Sequence, residues 1–272
     1  MLNIVLQCCG LVMLAVVFLI FIKENSLDLS SRRRYFWTLV SGILCLSLDI
    51  LSIFGIYGAT TGQFPAVGAR LICKLYVASL AFQSYRGFLY AAGEFFAENS
   101  RRMTRRFYQI WFVVGVAAIM LLPIQYYMKG RVVYSYGWST TATYVVTVVF
   151  ILSTISMAFI ETEHSSGRRR WAILLWQGCW LLSALIQFFD KDLLLVGFAS
   201  AFGMVVIYAE LENPHEGIDR ATGLFTANAL SDYVNDAYQH RKSVEAVHVY
   251  LSAQTGSFDP DTKKIILVRT AI

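Results

Sequence analysis

The chain has 272 residues, 57% of them hydrophobic and only 15% charged, with a mean hydropathy of +0.54. That balance excludes an ordinary soluble domain and requires a bilayer as the solvent for most of the chain. The net charge of +5 does not mark a nucleic-acid surface, because the basic residues fall in short clusters between apolar runs, as in the cytoplasmic loops of membrane proteins.

Seven apolar segments follow in order: 2–23, 35–59, 71–96, 110–128, 140–162, 172–189 and 193–212. Each is close to the length of helix needed to cross a hydrocarbon core. The first lacks a basic leader and a small-residue cleavage site, and its positive charges come after the apolar run, so it reads as an anchor. Pro123 falls in the fourth segment and predicts a kink there. Only Asp190, Lys191 and Asp192 separate the sixth and seventh segments, which predicts a tight helical hairpin.

Lys and Arg set the orientation. The first, third and fifth connections carry Lys23 and Arg32 to Arg34, then Arg101, Arg102, Arg105 and Arg106, then Arg168 to Arg170. The even connections are poorer, with Arg70, then Lys129 and Arg131, then Lys191. Positive loops face the cytoplasm, so the N-terminus is expected outside and the C-terminal tail inside. The expected fold is therefore mainly α: a seven-helix transmembrane bundle over 1–212, with a short α/β cytoplasmic tail over 213–272.

The fourth connection gathers Tyr126, Tyr127, Tyr134, Tyr136 and Trp138. Aromatic residues suit either an interfacial belt or the lip of an outer ligand pocket. No internal repeat or pair of Gly/Pro-broken helices points to an inverted-repeat transporter.

Charged groups inside hydrocarbon need a partner or a task. Asp49 lies fourteen residues above Tyr35, and Arg86 ten residues before Phe96, with Gln83 and Ser84 beside it. These heights, about 21 Å and about 15 Å from the inner ends, allow an ion pair across adjacent helices. Such a pair would either fix packing or form a polar switch or ligand site in a sensor core. Gln177, Ser183 and Gln187 read as interhelical glue. Glu94 and Glu161 fall near cytoplasmic helix ends, where they would snorkel or pair with Arg.

Some chemistries are excluded. The four histidines, His164, His215, His240 and His248, lie outside the apolar segments, so no pair of them holds a haem in the membrane. The seventh segment has no Lys for a retinal Schiff base. The five cysteines form no C-x-x-C pair or Cys/His cluster, which argues against zinc; a bridge between Cys8 and Cys73 is geometrically open.

Beyond Asn213-Pro214, which should end the last segment, stands Asp219-Arg-Ala-Thr222-Gly223-Leu224, a turn sequence. A helix is predicted from near Thr226, with Ala229, Leu230, Tyr233, Val234, Ala237 and Tyr238 on its apolar face. Residues 243–253 read as a strand, and "KKIILVRTAI" as a further apolar element. D-x-x-T-G-L followed by an amphipathic helix and a strand resembles the opening of a GGDEF domain, the diguanylate cyclase fold. Asp219, Thr222, Gly223 and Leu224 match it, while Ala221 replaces Leu and Thr226-Ala227 replaces Asn-Arg.

The resemblance implies a bacterial membrane signalling protein of the cytoplasmic membrane, with a cyclic di-GMP type of output. It implies Mg2+ and GTP only where a complete cyclase domain is present. Here the strand carries no carboxylate at the expected metal position, and no GG[DE]EF hairpin occurs in the 272 residues. The segment is thus expected to be incomplete and catalytically inactive, with no catalytic residue and no metal ligand. The implied partners are the bilayer, an unknown extracellular or membrane ligand and a second copy, with no nucleic acid. The alternatives are the N-terminal portion of an active membrane diguanylate cyclase, and a transporter or channel.

Overall fold

A computed structural model describes residues 4–23, 30–95, 98–130, 132–160, 167–189, 194–212 and 226–239. Seven helices follow the apolar segments: α1 (Val5–Lys23), α2 (Ser30–Thr60), α3 (Ala66–Phe95), α4 (Glu98–Leu121), α5 (Trp138–Ile160), α6 (Gly167–Phe189) and α7 (Val196–Ile207). Strands β1 (Gln125–Lys129) and β2 (Val132–Tyr136) lie between α4 and α5, and α8 (Ala227–Gln239) belongs to a separate unit of the chain.

Five helices, α1, α2, α3, α5 and α6, are long and apolar enough to cross a membrane. The expected count of seven spans is therefore met in part. The apolar stretch of α4 is Arg106–Leu121, and α7 has 12 helical residues before it widens into a π-helical turn at Tyr208–Glu212.

The bundle is apolar outside, and its largely apolar core holds a set of buried polar side chains. Leu19, Val12, Phe54, Phe159 and Leu121 are among many large side chains more than half exposed. In water so continuous an apolar surface would drive association, whereas in lipid it costs nothing. Inward face Gln7, Thr38, Ser41, Asp49, Gln83, Thr147, Gln177 and Ser200, all buried. This distribution makes the chain a membrane-embedded protein.

α3 packs against α4 and α5, touches α2 where Thr38 Oγ1 reaches the Arg86 carbonyl at 3.5 Å, and touches α7 where Gln83 Nε2 donates to Ser200 Oγ at 2.6 Å. Trp176 of α6 is wedged between α3 and α7. A Cβ at Gly87 would stand 2.9 Å from Trp176 Cη2, and one at Gly203 would collide with the indole Cδ1. Only glycine lets both backbones close on that ring.

Pro123 does not kink α4. The helix stops at Leu121, because the residue before a proline leaves the helical region, and Pro123 starts the connection instead. Its carbonyl accepts the Ser139 N–H at 3.2 Å and so seats the start of α5. The fourth connection is an antiparallel hairpin with Lys129 opposite Val132, a two-residue turn opened by Gly130 at φ 61°.

The expected C-terminal helix is present. Thr226 Oγ1 accepts the Ala229 N–H at 3.3 Å, the N-cap bond that starts α8. Of its expected apolar face, Ala237 is buried, while Leu230, Val234 and Tyr238 are exposed. Asp219, Thr222, Gly223, Leu224, the strand over 243–253 and the final apolar element lie outside the described residues.

Candidate functional site: a polar cavity beneath the hairpin

A cavity of about 50 Å³ lies between α2, α3, α5 and α6, under β2 and beside the start of α7. Its polar lining includes Asp49, Ser52, Tyr76, Tyr134, Thr140, Thr143, Tyr144, Thr147, Trp180 and Gln187. All but Tyr134 of β2 come from helices with apolar outer sides, so helical periodicity aims those few polar side chains inward.

Asp49 stands eleven residues from the end of α2 at Thr60, about 16 Å below the hairpin end. It is 3% exposed, which places a carboxyl group deep in the bundle. Tyr76 and Gln7 face it as hydrogen-bonding neighbours, and its Oδ2 would lie 3.7 Å from a Cβ at Gly197. Gln7 also donates through Nε2 to the Leu194 carbonyl at 3.2 Å, joining α1 to the start of α7.

The ion pair expected between Asp49 and Arg86 is not formed. Thr38 is level with the Arg86 carbonyl, and Asp49 lies eleven residues further along α2, about 16 Å away. No ion pair among the described residues includes Asp49. The third member of the expected core, Gln83, bonds Ser200 and not Asp49.

The expected outer pocket is met by one residue. Tyr134 is buried and lines the cavity, its hydroxyl 3.3 Å from that of Tyr144. Tyr136, at the end of β2, is 40% exposed, and Trp138 is 68% exposed at the start of α5. Trp138 lines a separate apolar groove with Trp111 and Val145, and Tyr126 packs against the core without lining the cavity.

Three polar atoms in the cavity wall are buried without a partner: Thr140 Oγ1, Thr147 Oγ1 and Trp180 Nε1. Such groups cost about 1–3 kcal/mol each when left unpaired, so they mark a place for water or a polar ligand. By contrast the Gln187 carbonyl oxygen has partners. Its Oε1 accepts the N–H groups of Leu195 at 3.0 Å and Val196 at 3.2 Å, capping α7, whose N-cap residue Leu195 has no side-chain acceptor. Gln187 is thus the interhelical glue that its sequence position predicts, whereas Ser183 bonds only back to the Trp180 carbonyl.

At the opposite end of the bundle a second polar cluster forms around two carboxylates. Glu94 receives Arg34 at 2.9 Å, with Arg169 at 3.8 Å. Glu212, at the end of the π-helical turn, accepts the hydroxyls of Tyr90 at 2.8 Å and Ser31 at 2.9 Å. Tyr35 donates to the Met204 carbonyl at 2.7 Å and stacks on Tyr208. α2, α3, α6 and the end of α7 are therefore tied together there. Glu94 pairs with Arg as its position predicts, and Glu161 lies outside the described residues.

Cys8 and Cys73 are free thiols, the first exposed and the second buried, so the bridge between them is not made. Among the described residues no three His, Cys, Asp or Glu side chains are placed to share a metal ion. The residues that the GGDEF-like resemblance would bring to Mg2+ and GTP lie outside the described residues. Compared with known proteins, the chain matches no protein-family model and no curated relative.

Proposed function

We propose that this chain is a membrane sensor. Its cavity beneath the hairpin receives a small ligand, and its opposite end passes the change in packing to the C-terminal segment. The observation that carries the reading is the set of unpartnered buried polar atoms, Thr140 Oγ1, Thr147 Oγ1 and Trp180 Nε1, around one cavity that also holds Asp49. A ligand that satisfies them favours one arrangement of the helices, and such differential binding is what shifts a conformational equilibrium. The π-helical turn at Tyr208–Glu212 supports the output role, because such turns are irregularities frequently found at functional sites.

In this reading α4 and α7 also cross the bilayer, which gives seven spans. The hairpin end faces outward and residues 213–272 lie in the cytoplasm of a bacterium, as the distribution of Lys and Arg supports. The D-x-x-T-G-L stretch at Asp219 to Leu224 supports a cyclic di-GMP type of output that is inactive by itself and works through a second copy or another protein.

The reading is tested by unfolding the purified chain in detergent across a panel of small molecules. A saturable rise in the midpoint that is lost in Trp180→Phe supports it. A panel without any saturable effect contradicts it. Membranes that turn over GTP would favour the cyclase alternative, and solute uptake into vesicles holding the chain would favour the transporter.

A further inference from the structure

Given a ligand pocket in this cavity, the lining also selects the chemistry of the ligand, and we infer that it takes a small organic ammonium ion, of about the size of ethanolamine. Three observations lead there. Asp49 is a buried acid whose hydrogen-bonding neighbours, Tyr76 and Gln7, are neutral and which joins no ion pair among the described residues, so a counter-charge beside it would offset the cost of burying its anion. The walls around it are aromatic, with Tyr76, Tyr134, Tyr144 and Trp180 all lining the same space. Ring faces attract an ammonium group and leave it less costly to desolvate than a metal ion, which would need several oxygen ligands.

The remaining polar atoms fix the other end of the ligand. Trp180 Nε1 can only donate, and Thr147 Oγ1 can donate or accept; both are buried without a partner. A molecule with an ammonium group at one end and a hydroxyl at the other satisfies Asp49 and these two together. A water needs roughly 10–15 Å³ of such space, so a cavity of about 50 Å³ holds about four heavy atoms.

The test uses the full chain in detergent, followed by tryptophan fluorescence and unfolding midpoint. Ethanolamine, ethylammonium and methylammonium chlorides are titrated against ethylene glycol, glycolate, and sodium and potassium chlorides. The expected result is a saturable response to the ammonium ions, at least about tenfold weaker for ethylene glycol and absent for glycolate and the alkali cations. Thr147→Val is expected to weaken ethanolamine several-fold and leave ethylammonium unchanged. Asp49→Asn is expected to bring ethanolamine down to the level of ethylene glycol. Ethylene glycol or glycolate binding as tightly as ethanolamine overturns the ammonium inference while the pocket itself stands. An equal response to sodium or potassium overturns it in the same way. Silence from every compound overturns the inference and the pocket together. The comparison among ligands on the unmutated chain stands even if a variant fails to fold.

Discussion

The two ends of the bundle differ in whether their buried carboxylates include an ion pair. At the Glu212 end each described buried carboxylate is matched, Glu94 by Arg34 and Glu212 by two hydroxyls. Under the hairpin Asp49 has no cation, and the Thr147 hydroxyl and the Trp180 indole N–H have no partner. The first region holds four helices in place through an ion pair and hydroxyl bonds, while in the proposed reading the second is completed by a ligand. A structural role alone would favour saturating both ends, since unpaired buried groups are costly.

Substitutions can break this contrast, and they fall in a clear order. The largest effect is expected from Glu94→Ala, which takes the carboxylate from the partly buried Arg34 and should cost about 3 kcal/mol in detergent unfolding. Gly203→Ala comes next, because the new methyl meets the Trp176 ring; overpacking of this kind costs about 1–3 kcal/mol. Asp49→Asn should do the reverse of Glu94→Ala. It removes a buried charge that no cation matches, so stability should stay within about 1 kcal/mol of the parent or rise. The smallest effect belongs to Thr147→Val, which deletes an unpartnered hydroxyl and should change stability by less than about 0.5 kcal/mol. A loss at Asp49→Asn as large as at Glu94→Ala would erase the distinction between the two ends.

Much of this was legible in the residues. Apolar runs locate α1 to α7, five of which are long and apolar enough to cross a membrane, and Asp49 stands out as a charge in the middle of one. Its partner was not legible, because the end of an apolar run is not the end of a helix. α2 begins at Ser30, five residues before Tyr35, and the level of Arg86 falls beside Thr38. The hairpin was hidden for a different reason. Tyr126, Tyr127, Tyr134 and Tyr136 suit a membrane interface as well as a strand, although two five-residue runs flanking Gly130-Arg131 carry the hairpin pattern. Alternation puts Tyr134 and Tyr136 on one face of β2, so the burial of the first and the exposure of the second at the strand end come from packing that the sequence pattern does not show. The unpartnered atoms at Thr147 and Trp180 could not be read from sequence at all, since they depend on what six separate segments bring together.

The central claim is that the cavity under the hairpin and the Glu212 end belong to one switch. The most direct test fills the cavity without a ligand, by Thr147→Leu, and follows backbone hydrogen exchange at Tyr208–Glu212 in the full chain. Leu152→Val, at a half-exposed position on the same helix, serves as the control. A several-fold change in exchange at the π-helical turn with Thr147→Leu, and none with the control, is the predicted result. Equal exchange in both variants and the parent would contradict the coupling.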